Sequence, residues 1–525
     1  MKSRVFFSAI ASILCVGVLA APTNKPSLAK TGGTIRIALN ADIRSTEIGV
    51  NRDTNTDTLM MHVVEGLVAY GEQGVPKPLL AESFQVSADG KTYTFKLRND
   101  VKFHNDATMT AADVLWSWKR WLNPETKWLC LKEFDGSNGL KIESVEAPNP
   151  QTVVFALNRP SALFLTHMAA MNCGSSAILH KDSLNPDGSW NTSIGTGPYK
   201  FGTWKRGEYV ELDAFRDYTR TTGAVDGYAG AKTPYADKLR WVLYKDTASA
   251  RDALIKGNVD ILPGLSLLQY AEMGGQPGIA VKFSPTMSVY GILIQTKDPL
   301  FSNVSMRHAL AYTLDIKTIA KAATGGIGAP TPSIVPAISP YHTLTHNQGY
   351  DVNIEKAKKL LKESGYVGQP IKLQTNKHYS SMYEQAVLVQ TMAKRAGINI
   401  ELDVMEWKQQ LENYQKGTYQ LSSFGYSPRV DPVLSYEAIL GDRTKNPNKI
   451  WDNPQAIAWN DEAAKISGKV QRQALFDKIH KKMLEDVPMI VICNPGDTNA
   501  MTKHIQDFAS WPLTRERLFG VWRLD

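Results

Sequence analysis

Apolar and polar positions alternate along some stretches of the chain and follow helical spacing along others. In residues 93–97, Tyr, Phe and Leu take every second position, which is typical of a strand with one buried face. Residues 114–118 place apolar side chains at helical spacing, and Thr110 with Asp113 has the spacing of a helix-capping box. The pattern predicts a strand, a second short strand at 101–104, and then a capped helix.

The same two patterns recur further along the chain. A strand is expected at 33–39 and a helix at 57–67, and residues 354–363 have the spacing of another helix. Residues 371–405 then predict a strand, a helix and a second strand, which together make a βαβ unit. Strands and helices that alternate in this way predict the α/β class, in which helices cover mixed sheets.

Residues 1–29 have the pattern of a secretory signal peptide. Lys2 and Arg4 precede an apolar run that is too short to cross a bilayer as a stable helix. Small residues allow cleavage after Ala20 or after Ala29. We therefore expect an exported protein. The roughly 500 residues that follow are too many for one hydrophobic core, so two or three domains are expected.

Composition and charge exclude one class of partner. The chain carries 59 Lys and Arg against 51 Asp and Glu, a formal net charge of +8. No run of five or six basic residues occurs in the sequence, so nucleic-acid binding is not expected. The small positive surplus is compatible with an anionic ligand or with solubility alone.

The cysteines permit at most one disulfide within the mature chain. Cys130, Cys173 and Cys493 follow the leader, and the first two are the favoured pair because both lie in the N-terminal region. A buried free thiol is the alternative for each of them. No Cys-x-x-Cys pair occurs in the sequence, so a thiolate zinc site has no support.

The sequence indicates neither a metal site nor a catalytic site. His342 and His346 are four residues apart, but Pro340 suggests a loop, and this spacing is diagnostic only on a helix. The sequence contains no GxSxG, no P-loop and no His-Glu metalloprotease motif. No cofactor is therefore expected. An exported hydrolase is the competing class, and it would turn over a bound ester or peptide.

Several motifs resemble those of one known family. Residues 81–120 are similar to the signature region of the family 5 extracellular solute-binding proteins, the dipeptide, oligopeptide and nickel receptors of ABC importers. Residues 195–199 match the family's GTGPY loop, and 304–312 resemble its VRQALNYAID helix. Residues 406–419 resemble its EWK…GTY block, and 425–432 resemble its cleft motif. The motifs follow the family's order and cover nearly the whole mature chain.

The resemblance implies a large two-lobed periplasmic binding protein fold with two hinge crossovers. Lobe I would comprise residues 30–285 with an extra subdomain at about 60–190, lobe II would comprise 290–490, and 495–525 would return to lobe I. The implied function is that of a monomeric periplasmic receptor. It would capture a small-molecule ligand, a peptide or a peptide-like solute, and deliver it to an ABC permease in the inner membrane. A nickel-chelate or haem receptor of the same family is the alternative.

Among the candidate ligand-binding residues, Arg429 departs from the family's pattern. Peptide-binding relatives carry an Asp near this place, which holds the α-ammonium group of the peptide. A guanidinium would bind a carboxylate or a phosphate instead. The resemblance therefore implies an anionic solute: an opine, a phosphorylated sugar conjugate, or a peptide held by its carboxylate. In the alternative, Arg429 faces solvent or pairs with Asp431.

Seven further residues complete the candidate site. Tyr426 takes the place of the family's cleft Trp and would stack on the ligand, and Tyr290 at the first crossover is a candidate of the same kind. Plain packing is the alternative for both, and it is favoured for Trp407. Asp431 is expected mainly to cap a turn. The predicted ligand-binding set is Arg429, Tyr426, Ser427, Asp431, Tyr290, Asn55, Arg44 and Trp407.

Overall fold

The computed structural model describes residues 29–524, so the expected leader up to residue 28 lies outside the described residues. None of the helices within this range combines the length and the apolar character that a bilayer span requires. The α-helices are α1 (Thr54–Met60), α2 (Ala111–Trp121), α3 (Phe164–Met168), α4 (Thr247–Ile255), α5 (Leu267–Gly274), α6 (Val304–Ala311), α7 (Ile316–Thr324), α8 (Ile354–Glu363), α9 (Ser380–Lys394), α10 (Trp407–Lys416), α11 (Pro432–Glu437), α12 (Pro454–Ala463) and α13 (Lys469–Asp486). The strands are β1 (Thr34–Leu39), β2 (Val68–Tyr70), β3 (Pro76–Pro78), β4 (Ala81–Val86), β5 (Thr92–Leu97), β6 (Ile142–Asn149), β7 (Thr152–Leu157), β8 (Tyr199–Lys205), β9 (Tyr209–Ala214), β10 (Lys238–Leu243), β11 (Ile261–Pro263), β12 (Ile279–Pro285), β13 (Val289–Ile294), β14 (Ala329–Pro330), β15 (Ile371–Thr375), β16 (Ile400–Val404), β17 (Leu421–Tyr426), β18 (Met489–Asn494), β19 (Gly496–Thr502), β20 (Ile505–Gln506) and β21 (Trp522–Arg523).

Two large sheets organise the described part of the chain. A seven-stranded sheet has the order β12-β19-β11-β1-β10-β9-β8, and a six-stranded sheet has the order β14-β18-β13-β17-β15-β16. We call the part built on the first sheet lobe I and the part built on the second sheet lobe II. A four-stranded sheet, β4-β5-β7-β6, packs into the main core of lobe I. The α/β class with mixed sheets is confirmed, and the residue boundaries expected for the lobes stay a prediction.

Each large sheet carries a hydrophobic core on both faces, because successive side chains of a strand point to opposite sides. In β1, Ile37 belongs to the main core of lobe I, whereas its neighbour Ala38 packs into a smaller core with α4 and α5. In β13, Ile292 and Leu293 divide in the same way between two cores of lobe II. Because both faces of each sheet are covered in this way, the segments that connect the two sheets leave from the ends of strands.

The chain passes between the two sheets twice, and the two crossings lie side by side. β12 leads into β13 through 286–288, and β18 leads into β19 through Pro495. The amide and the hydroxyl of Thr286 both donate to the carbonyl of Pro495, at 3.0 and 2.8 Å. The Nδ2 of Asn494 donates to the carbonyl of Ser288 at 2.8 Å. The crossings are thus hydrogen-bonded to each other where one lobe meets the next.

Local capping sets the start of α2 in the signature segment. The amide of Thr110 donates to the Asp113 carboxylate at 2.8 Å, so the predicted capping box is confirmed. The prediction of a strand at 101–104 is wrong. This stretch forms a tight loop in which Lys102 and Thr108 make an isolated β-bridge. The backbone doubles back within a few residues, which leaves too few pairs for a strand.

The first helix is shorter than its apolar pattern predicts. α1 begins at Thr54, after the N-cap Asp53, and ends at Met60 instead of residue 67. The amides of His62 and Val63 bond to carbonyls three residues back, which tightens the turn and ends the helix. The apolar residues of 61–67 are buried in the segment that connects α1 to β2. Their spacing therefore reflects burial and does not indicate a helix.

Two other predictions that depend on local pattern are confirmed. The helix α8 spans Ile354–Glu363, the same residues that the apolar spacing predicts. The strands β15 and β16 flank α9 and pair in parallel, with Ile371 opposite Ile400. Residues 371–405 therefore form the expected βαβ unit, and this unit provides one edge of the sheet in lobe II.

Candidate functional site

A large cleft lies between the two lobes. Its volume is about 1480 Å³, and side chains from both lobes line it. Lobe I contributes α1, the end of β1 and the loop after β10, and lobe II contributes α10, the end of β17 and the loop that leads into α11. A cavity of this size and position is the place where a small ligand is expected to bind.

Aromatic side chains form a cluster on the lobe II wall of the cleft. Tyr414 stacks on Phe424 with ring centroids 4.5 Å apart, and Tyr426 meets Phe424 edge to face at 5.4 Å. Trp407 packs against Phe424 and Tyr379, at 5.6 and 5.0 Å. All five rings line the cleft. They give this wall an aromatic character against which the apolar part of a solute can pack.

Arg429 lies in the loop between β17 and α11 and lines the cleft. Its Nη1 donates to the backbone carbonyls of Ser427 and Pro428, at 3.5 and 3.3 Å. In the described part of the chain, no carboxylate lies within 4.0 Å of its guanidinium. Asp431 is bound instead to Arg472, with Nη2 2.7 Å from Oδ1, and it caps α11. The charge of Arg429 is therefore open to the cleft.

The structure brings five of the eight predicted residues to the cleft and leaves three elsewhere. Arg44 lies 3.7 Å from Asp53, and most of its side chain is exposed. Tyr290 is half-buried and packs into the lobe II core against Gly425. Asp431 is buried in its ion pair. The cleft-lining members are Arg429, Tyr426, Ser427, Asn55 and Trp407. Their contact with a ligand stays a prediction.

Comparison with known proteins identifies the family of this chain and the class of function that the cleft serves. The sequence profile of the bacterial extracellular solute-binding proteins, family 5 Middle, matches residues 75–447, which is more than half of the chain. The chain belongs to this family. It is therefore a solute-binding protein and not an enzyme, and the resemblance carried by its motifs is confirmed. Family 5 proteins are the solute-binding components of ABC importers.

Individual relatives match this solute-binding protein along nearly its whole length. The glutathione-binding protein GsiB of Pectobacterium atrosepticum is 25% identical over 520 residues, which cover 96% of this chain and 96% of the relative. The structure of HbpA2 from Haemophilus parasuis superposes with a TM-score of 0.80 at 23% identity and covers 94% of this chain and 100% of that chain. AgaA from A. tumefaciens R10, solved with agropinic acid, has a TM-score of 0.69 at 26% identity and coverages of 94% and 99%. The two-lobed fold is thereby shown.

The cleft of this solute-binding protein also holds charged groups that the sequence did not single out. Glu516 of the C-terminal segment and Asp497 of β19 line it from lobe I. Burial, followed by the charge of Asp497, raises the pKa of Glu516 to about 7, and burial also raises the pKa of Asp497. On lobe II, Lys449 lies near Arg429 and donates to the carbonyl of Glu437. Single charges in loops or at a strand end carry no sequence pattern, so only the fold reveals them.

A disulfide joins two further parts of the cleft wall. Cys130 and Cys173 are bonded, with Cα atoms 5.5 Å apart, and both line the cleft. The favoured pairing is therefore confirmed, and Cys493 is a buried free thiol. Asn172 is adjacent to Cys173 in the chain and also lines the cleft, so the disulfide restrains its backbone at the lobe I wall.

The pair His342 and His346 lies in lobe II and does not line the cleft. Their ring centroids are 5.5 Å apart, and His480 of α13 approaches His346 to 5.0 Å. Within residues 29–524, no group of three or more His, Cys, Asp or Glu side chains has the arrangement of a metal site. His346 and His480 are buried and His342 is half-buried, so the three rings belong to the packing of lobe II.

Proposed function

We propose that this solute-binding protein is an exported, monomeric receptor that captures a peptide or a peptide-like anionic solute, such as an opine, in its cleft. Residues 1–29 would direct it to the periplasm. Residues 30–285 and 495–525 would move as lobe I and 290–490 as lobe II, so that the lobes enclose the solute. The loaded receptor would then deliver the solute to an ABC permease in the inner membrane.

The open guanidinium of Arg429 carries this proposal. An arginine presents a planar fork of donors that matches a carboxylate. In a cleft that closes around its ligand, water is excluded and the effective dielectric constant falls, so such a contact is stronger than at an exposed surface. Asp431 is already bound by Arg472. A carboxylate of the solute would satisfy the donors of Arg429, while the aromatic cluster would pack on its apolar part.

The relatives support an anionic solute. GsiB is a glutathione-binding protein, and AgaA was solved in complex with agropinic acid. Glutathione is a peptide and agropinic acid is an organic acid, so both carry carboxylates at neutral pH. A guanidinium suits ligands of this kind, and the cleft of about 1480 Å³ has room for them.

Native mass spectrometry of the protein purified from its own host tests the proposal first. The expected result is a bound compound that is released on denaturation and identified as a carboxylate-bearing peptide or peptide-like molecule. A thermal-shift screen against peptides and opines follows, because a ligand that binds only the folded state raises the melting temperature. Recovery of haem or a metal chelate, with no thermal shift from any peptide or opine, would contradict the proposed solute class.

A further inference from the structure

The backbone of the C-terminal segment is fixed beside the lobe I wall of the cleft, where it carries Glu516. The amide of Leu518 donates to the Nε2 of buried His62 at 3.0 Å. The hydroxyl of Tyr228 donates to the backbone carbonyl of Glu516 at 3.2 Å. The backbone here is fixed by contacts within lobe I, and the side chain of Glu516 lines the cleft. Because the backbone is already fixed, only the side chain of Glu516 has to be ordered when a ligand binds.

The carboxylate of Glu516 has no ion pair and no hydrogen bond with another residue between 29 and 524. The neighbouring Arg515 makes no ion pair with Glu516. Its Nη1 donates instead to the backbone carbonyl of Thr514 at 2.9 Å. Asp497 stands beside Glu516 in the cleft wall, and its Oδ2 accepts a hydrogen bond from Asn499 at 2.9 Å. Two carboxylates therefore lie together at this wall, and neither forms an ion pair within the described chain.

Two other basic side chains of lobe I already have acidic partners. Arg52 donates to the buried carboxylate of Asp57 at 2.9 Å, and Arg517 is paired with Glu72. Glu516 is partly buried and unpaired, which disfavours its ionised form, and a second carboxylate beside it makes ionisation harder still. A cationic group that enters from the cleft would remove both penalties.

We propose that Glu516, supported by Asp497, binds a cationic nitrogen group of the solute, in the simplest case an ammonium. This inference rests on the proposed function and narrows it. The solute is dipolar, with its positive end on lobe I and its carboxylate on Arg429 of lobe II. Its orientation is therefore set by one residue of each lobe, and the two lobes must come together for both ends to be held.

The ionisation of Glu516 supports the same assignment. Burial, and then the charge of Asp497, raises the pKa of Glu516 to about 7, while Arg515 lowers it only in part and Asp57 is paired with Arg52. A bound cation favours the ionised carboxylate and lowers this pKa. Binding should therefore release a proton near neutral pH. Affinity should rise with pH through 7 and fall below it, by about tenfold per pH unit at most.

Titration calorimetry of the mature protein with paired probes tests the assignment. The probes are alanyl-glutamate and glutathione, each compared with its N-acetyl derivative, which keeps the carboxylates and lacks the ammonium. For the wild type, N-acetylation should weaken binding about 30-fold or more, as expected when one partner of a desolvated charge pair is lost. Glu516→Gln should weaken the amine-bearing probe by a similar factor and leave the N-acetyl probe unchanged.

Two controls separate a direct role of Glu516 from a structural one. Glu146 is exposed in β6 outside the cleft, so Glu146→Gln removes the same charge and should bind all probes like the wild type. The second control is pH. The amine-bearing probe should bind the wild type more weakly at pH 6 than at pH 8, and Glu516→Gln should lose this dependence.

Each contrary outcome has a distinct meaning. Equal binding of a probe and its N-acetyl derivative to the wild type would overturn the assignment and leave the anionic solute of the proposed function intact. Equal losses for both forms in Glu516→Gln would also overturn it, because they would indicate a purely structural role. Failure of every probe to bind the wild type at millimolar concentration would overturn the assignment of Glu516, whereas the proposed function fails only when no peptide or opine raises the melting temperature.

Discussion

Two charged residues in one loop, two positions apart, have opposite surroundings. Asp431 caps α11 and is paired with Arg472, and these side chains are 8% and 5% exposed. Arg429 lines the cleft, and its guanidinium has no carboxylate partner among the described residues. One of the two charges therefore serves the packing of lobe II, and the other is available to a solute. Separate substitutions distinguish these roles.

Arg429→Ala should weaken the binding of an anionic solute by about 2 kcal/mol or more, because one partner of a desolvated charge pair is lost. Titration calorimetry with the compound released from the native protein measures the change. Arg395→Ala is the matched control, since Arg395 is exposed at the end of α9 and lies outside the cleft. An unchanged dissociation constant in Arg429→Ala would place this residue outside the binding site.

Asp431→Ala should lower the free energy of unfolding by about 3 kcal/mol, because it leaves the charge of Arg472 buried without a counter-charge. Urea unfolding followed by circular dichroism measures the loss. Asp461 is exposed on α12, so Asp461→Ala should change the free energy by less than about 0.5 kcal/mol. If the two variants unfold at the same urea concentration, the buried ion pair does not stabilise lobe II.

The charged residues of the cleft show how much of the site the sequence predicts. Trp407, Tyr426 and Arg429 stand in motifs whose order places them, and all three line the cleft. Lys449 and Glu516 line it as well, but each is a single charge in a loop far along the chain. The position of such a residue depends on the path of the whole backbone, and no local pattern records that path.

At the scale of elements, local signals decide some boundaries and packing decides others. α8 is capped by Asn353, whose side chain accepts from the amide of Lys356, and Gly365 follows its end with positive φ. The apolar pattern and these capping signals therefore agree on its residues. The pattern fails for 61–67, which are buried in a turn. Apolar spacing reports burial, and it reports a helix only where the capping signals agree with it.

The disulfide between Cys130 and Cys173 should stabilise the wall of the cleft. It closes a sequence separation of 43 residues, so replacing both cysteines by Ser should lower the free energy of unfolding by about 2–4 kcal/mol. Urea unfolding measures the difference. The wild type under a reductant should behave like the double variant, which should not respond to the reductant itself. Coincident unfolding curves for the oxidised wild type and the double variant would contradict the prediction.

At the scale of the whole molecule, buried histidines make both lobes sensitive to acid. In lobe I, burial lowers the pKa of His62 and of His104 to about 4. In lobe II, burial lowers the pKa of His346 to about 3 and that of His480 to about 4. These rings are neutral when folded, whereas the unfolded chain takes up their protons near pH 6.5. The neutral rings therefore make their whole contribution to the free energy of unfolding above pH 6.5, and this contribution is lost as the pH falls toward 4.

We expect the free energy of unfolding to fall between pH 7 and pH 5, by as much as about 2 kcal/mol for each fully buried ring. Urea unfolding at the two pH values measures the fall. His378 is exposed, so His378→Gln should show the same pH dependence as the wild type. His480→Gln should show a smaller one, whatever its stability at pH 7. A free energy that is equal at both pH values would contradict the burial of neutral rings.

The paired crossings also have a mechanical consequence. Residues 279–294 and 489–502 run antiparallel to each other through both sheets, as β12 with β19 and β13 with β18, so the lobes are connected by a two-stranded ribbon. A ribbon bends across its flat face and resists shear within its plane, so the proposed closure of the lobes would follow one path and return them to the same alignment. In the proposed closed state, the separation of Arg429 and Glu516 would then be a fixed length, and the cleft would select solutes by the distance between their charged ends.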